Sequence, residues 1–308
     1  MVLAKFPKGS EWRKWDLHVH SPASHKFKGT WEDFIFQLAG SECELIGIND
    51  YFSVDGYKHL KALINEVDSL PSTRSDLKNA LSQLKSKALL PVVECRMTNV
   101  LQNKNSKSGV RLNFHIIFSN KVNVDNIETF IKQLHIYDRM IGDKYDDPEF
   151  LLNSTSVDFL STVQQLKNER AFKDKYYKNQ FLIWLPYDEY GGIDDVDPQA
   201  DRYLKEGFIN ISDLIGSANA NQINFFLGKN EKFPKEKIEE WFGKPKPCVK
   251  GTDSHDASSE LGRLKDDKNR PTDKYIWVNA DQTFEGLCQI DKEPEDRVFI
   301  GKRPPKLK

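Results

Sequence analysis

Short apolar runs alternate with stretches patterned for helices along almost the whole chain, and that rhythm leaves few folds open. Residues 15–20, 45–48, 89–94, 113–118, 181–185, 208–211, 222–226, 248–252 and 275–278 read as strands. Helices are expected at 31–38, 54–67, 75–87, 124–134, 157–166, 198–205, 234–242 and 283–290, the first opened by a capping box of Thr30 and Asp33. Residues 99–109 and 186–192 read as loops, and 137–153 is too polar and irregular to assign. Strands separated by helices pair in parallel, with the helices laid on the outside of the sheet. The expected fold is therefore one α/β barrel-like domain built on a mainly parallel sheet. No internal repeat or low-complexity linker divides it.

The first strand also carries the chemistry. Side chains on a strand alternate between faces, so Asp16, His18 and His20 are expected on one face with Trp15, Leu17 and Val19 packed behind. Two imidazoles on one face suit one metal ion; a hydrogen-bonded polar row is the plainer alternative. Asp253 and His255 repeat the pairing near the other end of the chain, directly after a short apolar run. Asp50, Glu94 and His115 fall at the ends of intervening strands, where β/α barrels carry their sites because the loops there converge on one mouth. Imidazoles mixed with carboxylates suit Zn, Mn or Fe better than the all-oxygen shells of Mg or Ca. Two such ions about 3.5–4 Å apart would clamp a phosphate and lower the pKa of a bound water to about 7.

Composition narrows the setting. At 308 residues the chain makes either one large barrel or two ordinary domains, and 38% hydrophobic with 30% charged residues is ordinary for a globular protein. It contains no apolar run near the roughly 20 residues of a spanning helix. Residues 1–10 lack the apolar core of a signal peptide. Cys43, Cys95, Cys248 and Cys288 show no CxxC spacing and read as free thiols in a reducing compartment, so cytoplasm is the expected location. A net charge of −1 lacks the basic balance of an obligate nucleic-acid binder, and the lysines of 229–250 and 301–308 read as solvated surface.

The motifs taken together resemble the PHP (polymerase and histidinol phosphatase) family of metal-dependent phosphoesterases. They occur in order: Asp16-Leu17-His18-Val19-His20 with His25, Ile48-Asn49-Asp50-Tyr51, Glu94 followed by His115, and Asp253-Ser254-His255. The stretches 9–15, 47–53 and 186–188 are similar to the PHP domains fused ahead of an SMC-like ATPase in TrlF-type proteins, which are associated with nucleic-acid cleavage in defence against phage. No GxxxxGK[ST] phosphate loop is present, so such an ATPase is expected only as a partner or a region outside this chain. The resemblance implies a distorted (β/α)7 TIM-like barrel over 1–295, with 296–308 a basic tail or the start of a further region.

It also implies a ligand set and one to three divalent ions per chain. His18, His20, Glu94 and Asp253 would hold a first ion, Glu94 and His115 a second, and His25 and His255 a third. Two positions depart from the family pattern, Tyr51 and Leu185 standing where histidines are usual, so Asp50 or Asp188 would have to complete those shells. The implied activity is hydrolysis of a phosphodiester, expected in nucleic acid. The rivals are a degenerate module that binds nucleic acid or an ATPase without catalysis, a phosphomonoesterase, and an amidohydrolase-like enzyme. Several residues read two ways. Asp50 is a site carboxylate or a cap for the 53–56 turn, and Arg263 is a phosphate clamp or a surface ion pair. Tyr187 and Tyr190 either stack on a base or roof the barrel, with Tyr51 a further candidate contact for substrate. Cys95 points to the opposite strand face from Glu94 and reads as core.

Overall fold

The computed structural model describes residues 11–107, 109–136, 139–140, 180–266 and 268–305. The chain begins with β1 (Trp12–Val19), α1 (Trp31–Gly40), β2 (Leu45–Tyr51), α2 (Asp55–Asn65), α3 (Ser75–Leu84), β3 (Ala88–Gln102), β4 (Gly109–Phe118) and α4 (Val124–Gln133). It continues with β5 (Phe181–Pro186), α5 (Arg202–Ile211), β6 (Leu214–Gly216), α6 (Ala220–Phe226), α7 (Lys235–Phe242) and β7 (Cys248–Val249). It ends with β8 (Tyr275–Asn279), α8 (Phe284–Lys292) and β9 (Val298–Gly301). Two short ladders, 135–136 with 139–140 and 229–230 with 233–234, stand apart from the main sheet.

The nine labelled strands form one sheet in the order β7-β6-β5-β4-β3-β2-β1-β8-β9. Strands β1 to β7 thus succeed one another in chain order, and the segment after β7 returns to β1. Asp253 N donates to His18 O at 2.9 Å and His20 N donates to Ser254 O at 3.0 Å, which closes the sheet into a distorted seven-stranded α/β barrel. Trp15, Leu17, Leu45, Leu90, Val92, Ile117, Leu182, Trp184 and Leu214 fill its interior. Outside it, α1 to α3 pack Phe34, Leu38, Leu60 and Leu81 on one flank, while Phe130, Phe208, Phe226 and Phe242 from α4 to α7 cover the other. Phe284, Leu287 and Ile290 of α8 join the interior cluster, and Gln282 just before that helix donates to Ser86 O in the turn before β3.

Several features differ from the sequence expectation. The sheet is mixed, because β4 runs antiparallel to both β3 and β5. β3 continues to Gln102 and β4 starts at Gly109, so residues expected as loop form a long hairpin that reaches past the barrel mouth. The runs 208–211 and 222–226 are helical, within α5 and α6, and the strand between them is Leu214–Gly216. A short apolar run does not by itself separate a buried strand from the buried face of a helix. The capping box at Thr30 and Asp33 is present. The helix expected at 157–166 lies outside the described residues, as does most of 137–153. Residues 298–301, expected in a tail, form β9 against β8. Among the described residues no helix is long and apolar enough to cross a membrane.

Candidate metal centre

The first strand does not alternate evenly. Asp16 pairs with Ile46 and Val19 with Ile48, so β1 takes three steps where β2 takes two, and the extra residue makes a bulge at Leu17-His18. The bulge reverses the facing of the residues beyond it. Trp15 and Leu17 join the interior cluster while Val19 packs outside, and His18 and His20 both turn inward. Asp16, expected beside the histidines, instead accepts from Thr252 N (3.0 Å), Gly262 N (2.7 Å), His18 N (3.1 Å) and the Thr252 hydroxyl. It pins the bulge to the segment after β7 and takes no part in the donor set. Gly47 on β2 permits the bulge, since a Cβ there would sit 2.5 Å from Leu17 O.

At the mouth of the barrel four donor atoms converge. His18 Nε2 lies 3.1 Å from His20 Nε2, 3.3 Å from Glu94 Oε2 and 3.3 Å from Asp253 Oδ1. His20 Nε2 lies 3.5 Å from Glu94 Oε2 and 3.4 Å from Asp253 Oδ1. A tetrahedral ion with bonds near 2.0–2.1 Å separates its ligands by about 3.3 Å, so His18, His20 and Asp253 are spaced for one small divalent cation, with Glu94 Oε2 at a similar distance from both imidazoles. His115 forms a second group with His18 and Glu94. It stands level with Glu94 because antiparallel pairing places the two opposite each other, so it reaches the site from inside β4 and not from a strand end at the mouth.

Neighbouring groups hold these ligands in place. Asn49 donates to Glu94 Oε2 at 3.0 Å, and Asn113 donates to Glu94 Oε1 at 2.9 Å. His115 Nδ1 donates to Asn49 Oδ1 (3.2 Å), which leaves Nε2 as the acceptor facing the site. His20 Nδ1 is 2.8 Å from Ser24 Oγ, so its Nε2 likewise points inward. Trp184 stacks on His115 at 4.5 Å and stands nearly perpendicular to His18 at 5.6 Å. Neither asparagine was singled out from the sequence for a role, although each lies at an even spacing from an inward-facing position: Asn49 from Gly47, and Asn113 from His115.

The electrostatics match a site built for a cation. Burial pulls the His18 imidazole down, but the Asp253 and Glu94 carboxylates outweigh it and raise its pKa to about 9. Burial opposes ionisation of Glu94, yet His115, His18 and His20 lower it to about 2. Asp253 is held well below the carboxylate range, burial being outweighed by His18, His20 and His255. His115 is pushed down to about 3 by burial. His18, His20, Glu94 and His115 are buried. Asp253 alone of the five is exposed, its side chain 52% open, at a left-handed φ of 50° that an aspartate tolerates.

The remaining candidates are placed differently. Asp50 faces away from the donors and binds Ser21 N (3.0 Å) and Ser21 Oγ (2.9 Å), tying the end of β2 to the loop after β1; its side chain caps no helix. His25 is half-buried in that loop, outside both donor groups. His255 stacks on His20 at 3.8 Å, its Nε2 meets the Tyr51 hydroxyl at 3.2 Å and its Nδ1 lies 3.4 Å from Asp253 Oδ1. Leu185 faces the outer core, and it is Trp184 that faces the site. Arg263 makes the surface pair, reaching Glu260 and Thr272 O, and does not line the cleft. Tyr187 is buried against Phe226 in the outer core and also borders the cleft beside Asp253.

Beside Asp253 opens a cleft of about 690 Å³. Asp188 stands in its wall, accepting from Ser217 Oγ at 2.6 Å. Glu189, on the same wall, is driven up to about 7 by burial despite Lys250 and His18. Lys250 and Lys265 are the cations among the lining residues; Lys250, expected as solvated surface, is instead largely buried in the cleft wall.

No family model matches this chain, and no curated protein does so. Among solved structures it is similar to the lesion-specific endonuclease PfuEndoQ from Pyrococcus furiosus, at 14% identity and a TM-score of 0.47, over 93% of this chain and 57% of that one. It is also similar to a protein from Bifidobacterium adolescentis described as a metal-dependent phosphoesterase, at 14% identity and a TM-score of 0.35, over 83% of this chain and 94% of that one. The chain therefore spans little more than half the length of the endonuclease. At such scores neither likeness carries an activity over to this chain.

Proposed function

We propose that this chain is a metal-dependent phosphoesterase that hydrolyses a phosphodiester in nucleic acid. The observation that carries the reading is the pair of imidazole nitrogens of His18 and His20, 3.1 Å apart, with Glu94 Oε2 and Asp253 Oδ1 each 3.3–3.5 Å from both. A divalent ion bound there would supply Lewis acidity toward a phosphoryl oxygen and a nucleophilic hydroxide at neutral pH. His18, His20, Glu94 and Asp253 are the residues that would hold it, with Glu94 and His115 available to a second. Asn49 and Asn113 fix the Glu94 carboxylate so that the ligands need not reorganise. Lys250 and Lys265 bring positive charge to the cleft where a phosphate would lie. Glu189 sits in that wall with a pKa near neutrality, suited to handing a proton to the departing oxygen.

Occupancy is expected to be uneven, from one to three ions. Tyr51 engages His255 and Leu185 faces outward, so a third and a second ion would each lack a ligand of the family pattern. Zn, Mn and Fe all suit the donor types. The motif resemblance supports action on nucleic acid and a role in phage defence, with an SMC-like ATPase as partner, and the free cysteines support the cytoplasm as location. The test is elemental analysis of the purified protein, a melting curve with and without chelator, and hydrolysis of a small phosphodiester with added Mn or Zn. Bound metal, a chelator-induced fall in Tm and metal-restored hydrolysis are expected. No metal and an unchanged melt would refute the site, and metal without hydrolysis would favour a binding module.

A further inference from the structure

Two of the three tyrosines near the mouth are already engaged. Tyr187 is in the core, and Tyr51 lies against His20 with its hydroxyl on His255. Tyr190 is 80% exposed, yet it lines the same cleft as Asp253. A single exposed aromatic is ordinary on a protein surface. What sets this one apart is how it is held.

Tyr190 stands in a turn closed by Gly192 N donating to Glu189 O at 2.8 Å. The next residue, Gly191, has a left-handed φ of 70°. Its carbonyl accepts from Asn113 N at 2.9 Å, and a Cβ on it would lie 2.7 Å from the Asn113 side chain. Asn113 is the residue that donates to Glu94 Oε1, and its own Oδ1 accepts from Arg96 Nε at 3.2 Å. The Arg96 guanidinium in turn lies 5.6 Å from the Tyr190 ring centroid. One asparagine therefore sets the positions of the metal carboxylate, the guanidinium and the turn bearing the exposed ring.

We infer that Tyr190, backed by Arg96, is the stacking platform for an unpaired base next to the scissile phosphate, so that the site takes single strands in preference to intact duplex. The inference rests on the phosphodiesterase reading and names its substrate class. Two properties of the cleft favour stacking over phosphate tracking. Its lining is acidic, with Asp188, Glu189, Asp194, Asp195 and Asp266 beside Asp253 against Lys250 and Lys265. Such a lining opposes any extended run of phosphates, single- or double-stranded, so a grip through one stacked base suits it better than tracking of the backbone, and a base is free to stack only when unpaired. Its volume, about 690 Å³, falls in the range that holds one ligand the size of a nucleotide.

The test compares the parent with Tyr190→Ala and Tyr190→Trp on a single-stranded 12-mer, the same sequence as duplex, and methyl p-nitrophenyl phosphate. Stacking on one base is worth about 1–3 kcal/mol, or roughly 5- to 150-fold. Tyr190→Ala should lower the ratio of kcat/KM for the 12-mer over the small diester by that factor, chiefly through KM, and Tyr190→Trp should retain it. Binding of the labelled 12-mer to metal-free protein, read by fluorescence anisotropy, should weaken in parallel in the alanine variant only. An unchanged ratio and Kd in Tyr190→Ala, or duplex cleaved as fast as single strand, would overturn the platform. If the parent hydrolyses neither the 12-mer nor the small diester, the phosphodiesterase reading fails, and the anisotropy comparison still decides the platform.

Discussion

Without metal, the donor cluster should hold a proton in its place, and His18 is where that proton belongs. Its pKa is about 9, against an ordinary value of 6.5. A group whose pKa is raised on folding contributes stability that is complete below its unfolded value and is lost as pH rises through its folded value. For His18 the loss therefore begins near pH 6.5 and ends above pH 9. The full amount is roughly 3 kcal/mol, at about 1.4 kcal/mol for each unit of difference. Between pH 7 and 8.5 the folded protein holds nearly one proton more at this site than the unfolded chain, a slope of about −1 kcal/mol per pH unit. Other groups overlap that window. Lys246, lowered to about 8 by burial, favours folding as pH rises, and Glu189, raised to about 7 by burial, has imposed most of its penalty by pH 7. The clean measurement is a difference: urea unfolding of chelator-treated parent and His18→Gln at pH 7, 7.5, 8 and 8.5. The parent should lose about 1 kcal/mol per pH unit more than the variant. A metal must displace this proton, so its affinity should rise up to about tenfold per pH unit over the same window, with close to one proton released in calorimetry. Parallel slopes in parent and variant would refute the placement of His18 between two ionised carboxylates.

Three further outcomes are expected. Asp253→Asn, which suits the left-handed backbone and keeps the volume, should reduce metal content and abolish metal-dependent hydrolysis while the metal-free melting temperature stays within a few degrees; full metal content by elemental analysis would count against Asp253 as a ligand. Tyr51→His should replace the phenol at His255 with a second imidazole beside His20 and add a measurable equivalent of Mn or Zn in titration, and an unchanged stoichiometry would mean that the third shell fails elsewhere. Gly56→Ala should destabilise the fold by about 2–4 kcal/mol in urea unfolding, because its Cβ would meet Ser21 Oγ at 2.0 Å and Asp50 Oδ2 at 2.2 Å and break the tie between the loop after β1 and β2; a loss under about 0.5 kcal/mol would show that this tie is slack.

The sequence by itself determined the α/β class, most of the elements and the residue types of the donor set. Apolar periodicity reports which faces are buried, and a polar residue recurring on the interior line of a strand stands out against it, as His18, His20, Glu94 and His115 do. The direction of β4 was beyond its reach, because a period of two is the same whichever way a strand runs, and only pairing with β3 and β5 decides it. The same limit applies to 208–211, where Phe208 and Ile209 are buried on a helix as readily as on a strand. The facing of Asp16 depends on contacts with Thr252 and Gly262, more than 230 residues away, and on the space Gly47 leaves for a bulge. Tyr51, Tyr187 and Tyr190 are alike as residues, and the fold alone gives them a hydrogen bond to His255, a place in the core and an exposed seat at the cleft. Local pattern sets which side chains are buried; tertiary closure, which brings chain ends together at β1 and β7, sets which of them meet.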